Sequence, residues 1–388
     1  MPKVRFGDVV REVKHNIDRN NNPYEFYVAG DHMDTADLTI HRRGCFTTDY
    51  VGPAFVREFK KGQVLYGSRR TYLKKVAVAD FDGVTANTTF VLETKNPDIF
   101  LQTLLPFVML TDSFTEWSVK RSKGSTNPYV LFSDLADFEF ELPDIEEQRQ
   151  VSDVLWACFR LRERYEGLIQ QCDALVQSQF VEMFESEEAD FPKVEIQDAC
   201  ASRDDIKCGP FGTQLKQAEY QESGVGIWGI PQINSEFSIQ PDAYVTPEKA
   251  KQLSPYSLIP GDIAMSRKGN VGQCAIFPNN LEDGIIASDV LRIRVDQSRL
   301  LPKFMQFQLH HSWNVKQQIL RVSDGAVMAG INVTKLKSIE VFIPPMSLQQ
   351  RFVSLADQID KSKYSCDQLQ KMLCVAGRAT TRKRYMIQ

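Results

Sequence analysis

The sequence predicts an α+β protein built as a pseudo-two-fold tandem repeat: two similar mixed α/β domains separated by two long helices that pair as an antiparallel coiled coil. Three observations predict it. Five blocks of the first half recur, in order, in the second. Each half carries short β-rich runs punctuated by glycine. Each half then closes on a long run of helical period.

The repeat is read block by block. "KKGQVLYGSRRTYLKKVAV" (Lys60 to Val78) aligns with "IPGDIAMSRKGNVGQCAIF" (Ile259 to Phe277), pairing Gly62 with Gly261, Ser68 with Ser266 and Arg69 with Arg267. "DGVTAN" from Asp82 pairs with "DGIIAS" from Asp283, and "SKGSTNPYV" from Ser122 with "SDGAVMAGI" from Ser323. "SDLADFEFELP" from Ser133 pairs with "TKLKSIEVFIPP" from Thr334, and "EQRQV" from Glu147 with "QQRFV" from Gln349. The offset stays at roughly 200 residues, and chance similarities do not keep their order over five blocks.

Strand-like runs such as "TTFVLET" and "VLRIRV" place the β structure in the mixed domains. Arg292 and Arg294 alternate with Leu291 and Ile293, which also fits the wet face of a strand. The helical runs follow Pro143 and Pro345. Asp144 with Glu147 supplies a capped start for the first, and Ser347 with Gln350 a capping-box pattern for the second. Seam positions then recur at alternating steps of three and four: Val151, Val154, Cys158, Leu161, Tyr165, Leu168, Cys172 and Leu175 in the first run, Phe352, Leu355, Ile359, Ser362, Cys366, Leu369, Leu373 and Ala376 in the second. That rhythm is the seam of a coiled coil, and an antiparallel pair would put one mixed domain at each end. The expected organisation is a domain over 1–143, a central helix over 144–188, a second domain over 189–345 and a C-terminal helix over 346–388.

Composition excludes several classes. The 388 residues are 43% hydrophobic and 25% charged, which is globular, and no apolar run approaches the ~20 residues of a membrane helix. "MPKVRFGDVV" lacks the apolar core of a signal peptide, and eight scattered cysteines read as reduced thiols, so a cytoplasmic protein is expected. The five histidines form no ligand set, so no metal site is expected. A formal net charge of −4 argues against a uniformly basic nucleic-acid coat but not against local patches.

Catalytic patterns fail on context. "GVGIWG" (Gly224 to Gly229) has dinucleotide-loop spacing, but Ile230-Pro231 follow where a helix should open. "SKGST" lacks the upstream glycine of a phosphate loop, and no nucleophile-elbow or zinc-protease pattern is present. Asp80, Glu93 and Lys95 match in outline the metal-binding set of a nuclease, which leaves a metal-dependent DNA nuclease as the alternative.

Basic and polar residues do recur in both copies. The first has Arg69, Arg70, Lys74, Lys120, Arg121 and Lys123, with Tyr72 among them. The second has Lys207, Lys216, Arg267, Lys268 and Arg321, with Asn270 and Asn332 nearby. Cations hold phosphates, while Arg, Asn and Gln can read base edges. These blocks, with "IKCGPFGTQLKQAEY" (Ile206 to Tyr220), resemble the specificity subunit of a Type I restriction-modification system over almost the whole chain.

The resemblance implies that each repeat is a target-recognition domain followed by a conserved-region helix. It implies a non-catalytic DNA-recognition subunit in which each domain reads half of an asymmetric bipartite site and the helices set the spacer. No cofactor is expected in this chain. S-adenosylmethionine, ATP and Mg belong to partners: two modification subunits that methylate adenine, and restriction subunits that add an ATP-driven nuclease. Thr213 and Gln214 of "GPFGTQL" join the residues implied to face double-stranded DNA. The first domain lacks that opening and has no glycine after its basic pair. Arg267, Lys268 and Asn270 are the expected contacts of the second half-site, and Arg69, Arg70 and Tyr72 of the first.

Overall fold

The computed structural model describes residues 2–186, 190–323 and 330–363. Two compact units part inside the central helix, between Glu166 and Gly167. Each unit repeats the same three sheets. An antiparallel sheet has the strand order Val10–Glu12, Thr89–Thr94, Val64–Gly67, Val76–Val78 in the first unit. Its counterpart in the second is Ile206–Cys208, Val290–Ile293, Ile263–Ser266, Cys274–Ile276. A mixed sheet has the order Gly44–Cys45, Phe26–Val28, Gly83–Ala86, Phe55–Phe59, matched by Tyr244–Val245, Val225–Trp228, Gly284–Ile286, Ser257–Leu258. In both, the second and third strands are the parallel pair, as in Tyr27 opposite Val84 and Ile227 opposite Ile285. A two-stranded ribbon ties the start of each unit to its end: Lys3–Arg5 with Glu139–Glu141, and Lys193–Glu195 with Glu340–Phe342.

The β-branched content of these strands suits burial on both faces, and Ile263–Ser266 and Val290–Ile293 are buried throughout. Arg292 is therefore not on a wet face. It is 3% exposed, and its guanidinium donates to the carbonyls of Asp204, Asp205, Pro255 and Ser257. Arg294 makes a bidentate pair with buried Asp262 at 2.6 and 2.7 Å.

The central helix runs Ile145–Phe184 without a break. Asp144 caps it, accepting from the Glu147 amide at 2.9 Å. The second long helix begins at residue 346, so Ser347 lies in its first turn rather than at its N-cap, and the expected capping box is not made. Pro345 occupies the place of Asp144: its carbonyl accepts from the Gln349 amide, as that of Asp144 accepts from Gln148.

Each helix is fastened by a fully buried glutamine. The Gln148 amide accepts from Leu101 N and donates to the carbonyls of Ile99 and Pro143 at 2.8–2.9 Å. Gln349 accepts from Leu301 N and donates to those of Arg299 and Pro344 over the same distances. The glutamines that match in space are thus Gln148 and Gln349, one residue out of step with the alignment of the two motifs.

The seam residues divide. Val151 and Phe352 are buried, and Leu161, Tyr165, Leu355 and Ile359 half-buried. Val154, Leu168 and Leu175 are exposed, and Leu369 and Leu373 lie outside the described residues. The buried line is instead Val151, Leu155 and Phe159 in the first unit and Val176, Phe180 and Phe184 in the second, at steps of four. Burial follows the aromatic rings, which remove more apolar area from water than the aliphatic seam does, each about 2–3 kcal/mol. Within the second unit the two helices do run antiparallel. Phe180 meets Phe352 at 5.4 Å between rings, and Asp173 pairs with Lys363 at 2.6 Å. Lys303, bonded to Asp357 at 2.6 Å and Asp360 at 2.7 Å, ties the second helix to its domain.

Candidate nucleic-acid interface

In each unit, two loops far apart in sequence meet at one end of the antiparallel sheet. The first follows strand Val64–Gly67 or Ile263–Ser266. The second lies beyond a helix, Asp112–Lys120 or Trp313–Ser323, and in the second unit is described from Gly330 onward. In the first unit Arg69 bridges Tyr129, and the Val130 amide donates to Ser68 O at 3.0 Å. In the second Lys268 bridges Gly330, and the Ile331 amide donates to Arg267 O at 3.0 Å. The backbone therefore matches Arg69 with Lys268 and Ser68 with Arg267. The sequence pairing of Arg69 with Arg267 is off by one, because it sets Ser68 on Ser266, whereas the strands set Gly67 on Ser266.

The first loop turns through two left-handed corners. In the second unit these are Gly269 (φ 69°) and Gly272 (φ 94°). In the first they are Arg70 (φ 49°) and Lys74 (φ 47°), which flank a short 3₁₀ turn at Thr71–Leu73. The missing glycine of "GSRRTYLKK" is thus replaced by two strained cations, and such strain gathers at functional sites.

Exposed at these loops and the helices before them are Arg69, Arg70, Tyr72 and Lys120, then Lys268, Asn270 and Arg321, and Thr213 and Lys216 are exposed on the segment after Ile206–Cys208. Others are partly spent on the protein itself. Lys74 pairs with Asp112 at 2.6 Å and Lys123 with Asp134 at 3.1 Å. Arg121 lies over Trp117 and 3.7 Å from Asp137. Lys207 pairs with Asp204 at 2.9 Å. Gln214 donates to Tyr256 Oη at 2.6 Å and accepts from the Phe211 amide. Asn332 caps Val333–Lys337 through the Lys335 amide.

Arg267 is the main displacement. It is half-buried, its Nη1 donating to Cys208 Sγ at 3.1 Å and Ser288 O at 3.4 Å, with the Phe211 ring 5.5 Å from its guanidinium carbon. Tyr129 and Phe211, which the sequence reading does not single out, are also exposed. Each stands in a glycine-rich motif whose sequence carries no signal of which side chain faces out.

Two further clusters bear on chemistry. Glu93 of the nuclease alternative is held by Arg11 at 2.5 Å and by Gln63 at 2.8 Å, while Lys95 Nζ donates to Gly7 O. Among the described residues the one trio with metal-ligand spacing is a different one, Asp37, His41 and Glu163, with donor atoms within 4.8 Å. His41 does, then, join a ligand-like set, contrary to the reading of the histidines. Arg162 lies 4.0 Å from Asp37 and Thr39 bonds Glu163, so the trio also works as a polar clamp on the central helix.

Comparison with known proteins follows the same two-fold plan. The family model for the Type I restriction modification DNA specificity domain matches twice, over residues 4–171 and 206–371. The chain is 27% identical over 145 residues to the Type I restriction enzyme EcoDI specificity subunit of Escherichia coli, covering 37% of this chain and 31% of that one. It is 23% identical over 262 residues to the HindI specificity subunit of Haemophilus influenzae, covering 66% and 54%. It thus spans between about a third and about half of the length of these relatives. The fold is that of a Type I restriction-modification S subunit from M. genitalium, with a TM-score of 0.63 at 14% identity over 99% of this chain and 96% of that one. It is shared also with a chain from a study of type I R-M assembly and conformational transition, with a TM-score of 0.57 at 21% identity over 98% and 96%. With the family model matched in both halves, the chain belongs to the Type I restriction modification DNA specificity domain family.

Proposed function

We propose that the chain is the sequence-reading, non-catalytic subunit of a Type I restriction-modification complex. Its two recognition domains, 1–143 and 189–345, each read one half of an asymmetric bipartite DNA site, and the helices 144–188 and 346–388 set the spacer. The observation that carries this is the duplicated loop pair, Arg69 on Tyr129 and Lys268 on Gly330, with exposed cations at the same place in both units. Two equivalent basic loops suit one phosphate polymer touched twice, and their different side chains suit two different half-sites. The partners are two modification subunits, which bring S-adenosylmethionine, and restriction subunits, which bring ATP and Mg, all in the cytoplasm. Among the described residues no helix is long and apolar enough to cross a membrane.

Domains on one rod meet the same groove face about one helical turn, near 10 bp, apart. Removing one heptad from the central helix is therefore expected to change the spacer and leave both half-sites intact. Genome-wide mapping of methylated adenine, with the gene intact, deleted and shortened, reads this directly. Unchanged methylation on deletion would sink the proposal, and altered half-sites in the shortened form would sink the role of the helices.

A further inference from the structure

The helix before the second loop carries a feature that both units keep. Thr111 caps Asp112–Lys120 by accepting from the Phe114 amide at 3.3 Å, and Ser312 accepts from the Val315 amide at the same distance. Superposing the two caps sets Phe114 on Val315, Ser118 on Ile319, Val119 on Leu320 and Lys120 on Arg321. The inward members are buried in both units. The outward aliphatics are not: Val119 is 44% and Leu320 57% exposed, each followed by an exposed base. Keeping such a side chain in water forgoes the gain of burying it. Here that happens at the same place in two domains whose helix sequences otherwise differ.

These residues border the basic loops. A Cβ on Gly272 would lie 3.6 Å from Ile319, the neighbour of Leu320, so the helix packs against the loop that carries Lys268 and Asn270. In the first unit Lys74 of the loop bonds Asp112 of the helix, and Thr71 lies 3.5 Å from Ser122 between hydroxyls. An aliphatic side chain flanked by cations fits a surface that is anionic outside and apolar at one point within. In the major groove that point is the 5-methyl group of thymine.

We propose that Val119 and Leu320 are specificity-determining side chains, each packing on a thymine methyl of its half-site while Lys120 and Arg321 hold the neighbouring phosphates. This rests on the DNA-reading function above and names part of its reading surface. The test uses the chain assembled with its modification subunits and duplexes of the mapped site, with each thymine replaced in turn by uracil, which lacks the methyl. One position in each half-site is expected to weaken wild-type binding about three- to fivefold, the worth of one buried methyl. Leu320→Ala is expected to bind thymine and uracil duplexes equally there, and Val119→Ala to do the same in the other half-site. The inference is overturned if no thymine responds, or if the variants keep the full uracil penalty. It is overturned too if they lose the modification subunits instead, since the patch would then be a protein contact. Failure of the underlying function looks different: the wild-type assembly would show no sequence-dependent, salt-sensitive DNA binding at all.

Discussion

In the first unit the basic loop turns its two left-handed corners on Arg70 and Lys74; in the second the same corners are Gly269 and Gly272. Glycine takes this backbone at no steric cost, whereas a residue with Cβ gives up about 1 kcal/mol or more. The path of the chain is held in common and the placement of charge is not. The first unit fixes a cation at each corner and accepts the strain. The second keeps relaxed corners and carries its cation one step earlier, on Lys268 opposite Gly330. Two domains of one plan can thus carry different side chains at the same loop without moving a strand.

The comparison is tested most strongly where the units agree. Gln148→Ala and Gln349→Ala each remove three buried hydrogen bonds and orphan an amide and two carbonyls, at a cost of about 3 kcal/mol or more. Denaturant unfolding should show near-equal losses. A loss in one unit alone would break the equivalence of the two joints.

Acid separates the units. His310 sits in the second, its Nε2 accepting from the Cys274 amide at 3.2 Å, and burial pushes its pKa down to about 4. Burial also lowers His311. A folded pKa below the unfolded value near 6.5 means the unfolded chain takes up the proton first. Stability is whole above about pH 6.5 and drains as pH falls toward 4, by on the order of 2 kcal/mol. Melting followed from pH 7 to pH 5 should weaken the second unit, and His310→Gln should flatten that dependence. An unchanged slope in the variant would remove His310 as its source.

The smallest effect addresses the corners themselves. Arg70→Gly should raise the stability of the first unit by about 1 kcal/mol or less, net of the extra freedom of the unfolded chain, while weakening the first half-site in DNA-binding measurements. The matching change Gly269→Arg should cost the second unit a similar amount. A stability loss in Arg70→Gly would mean that the corner is not strained.

Much of this was legible in the sequence, for definite reasons. Glycine turns and β-branched runs recur because the same sheets must be closed twice, so the repeat and the two mixed domains could be read. Register could not. The loop between the corners is one residue longer in the first unit, so aligning Ser68 with Ser266 slides Arg69 onto Arg267 when the strands place it on Lys268. The helix seam is read from a three-four series that includes Val154, Leu168 and Leu175, all exposed. The larger rings of Phe159, Phe180 and Phe184 outweigh them and turn the helix onto its domains. Of the cations expected to face DNA, Arg69, Arg70, Lys120, Lys268 and Arg321 lie exposed, whereas exposure of Tyr129, Phe211, Val119 and Leu320 depends on packing that no local pattern encodes.

The glutamine joints also bear on how such a protein can be rebuilt. Each recognition domain is bolted to the first turn of the helix that follows it, so a graft made at the proline joint would carry the bolt away from its seat. An exchange of reading heads should instead be cut within the central helix near Gly167, where the two units part and the side chain is only hydrogen. New specificities would then be assembled as head-plus-helix cassettes, each arriving with its own fastening intact.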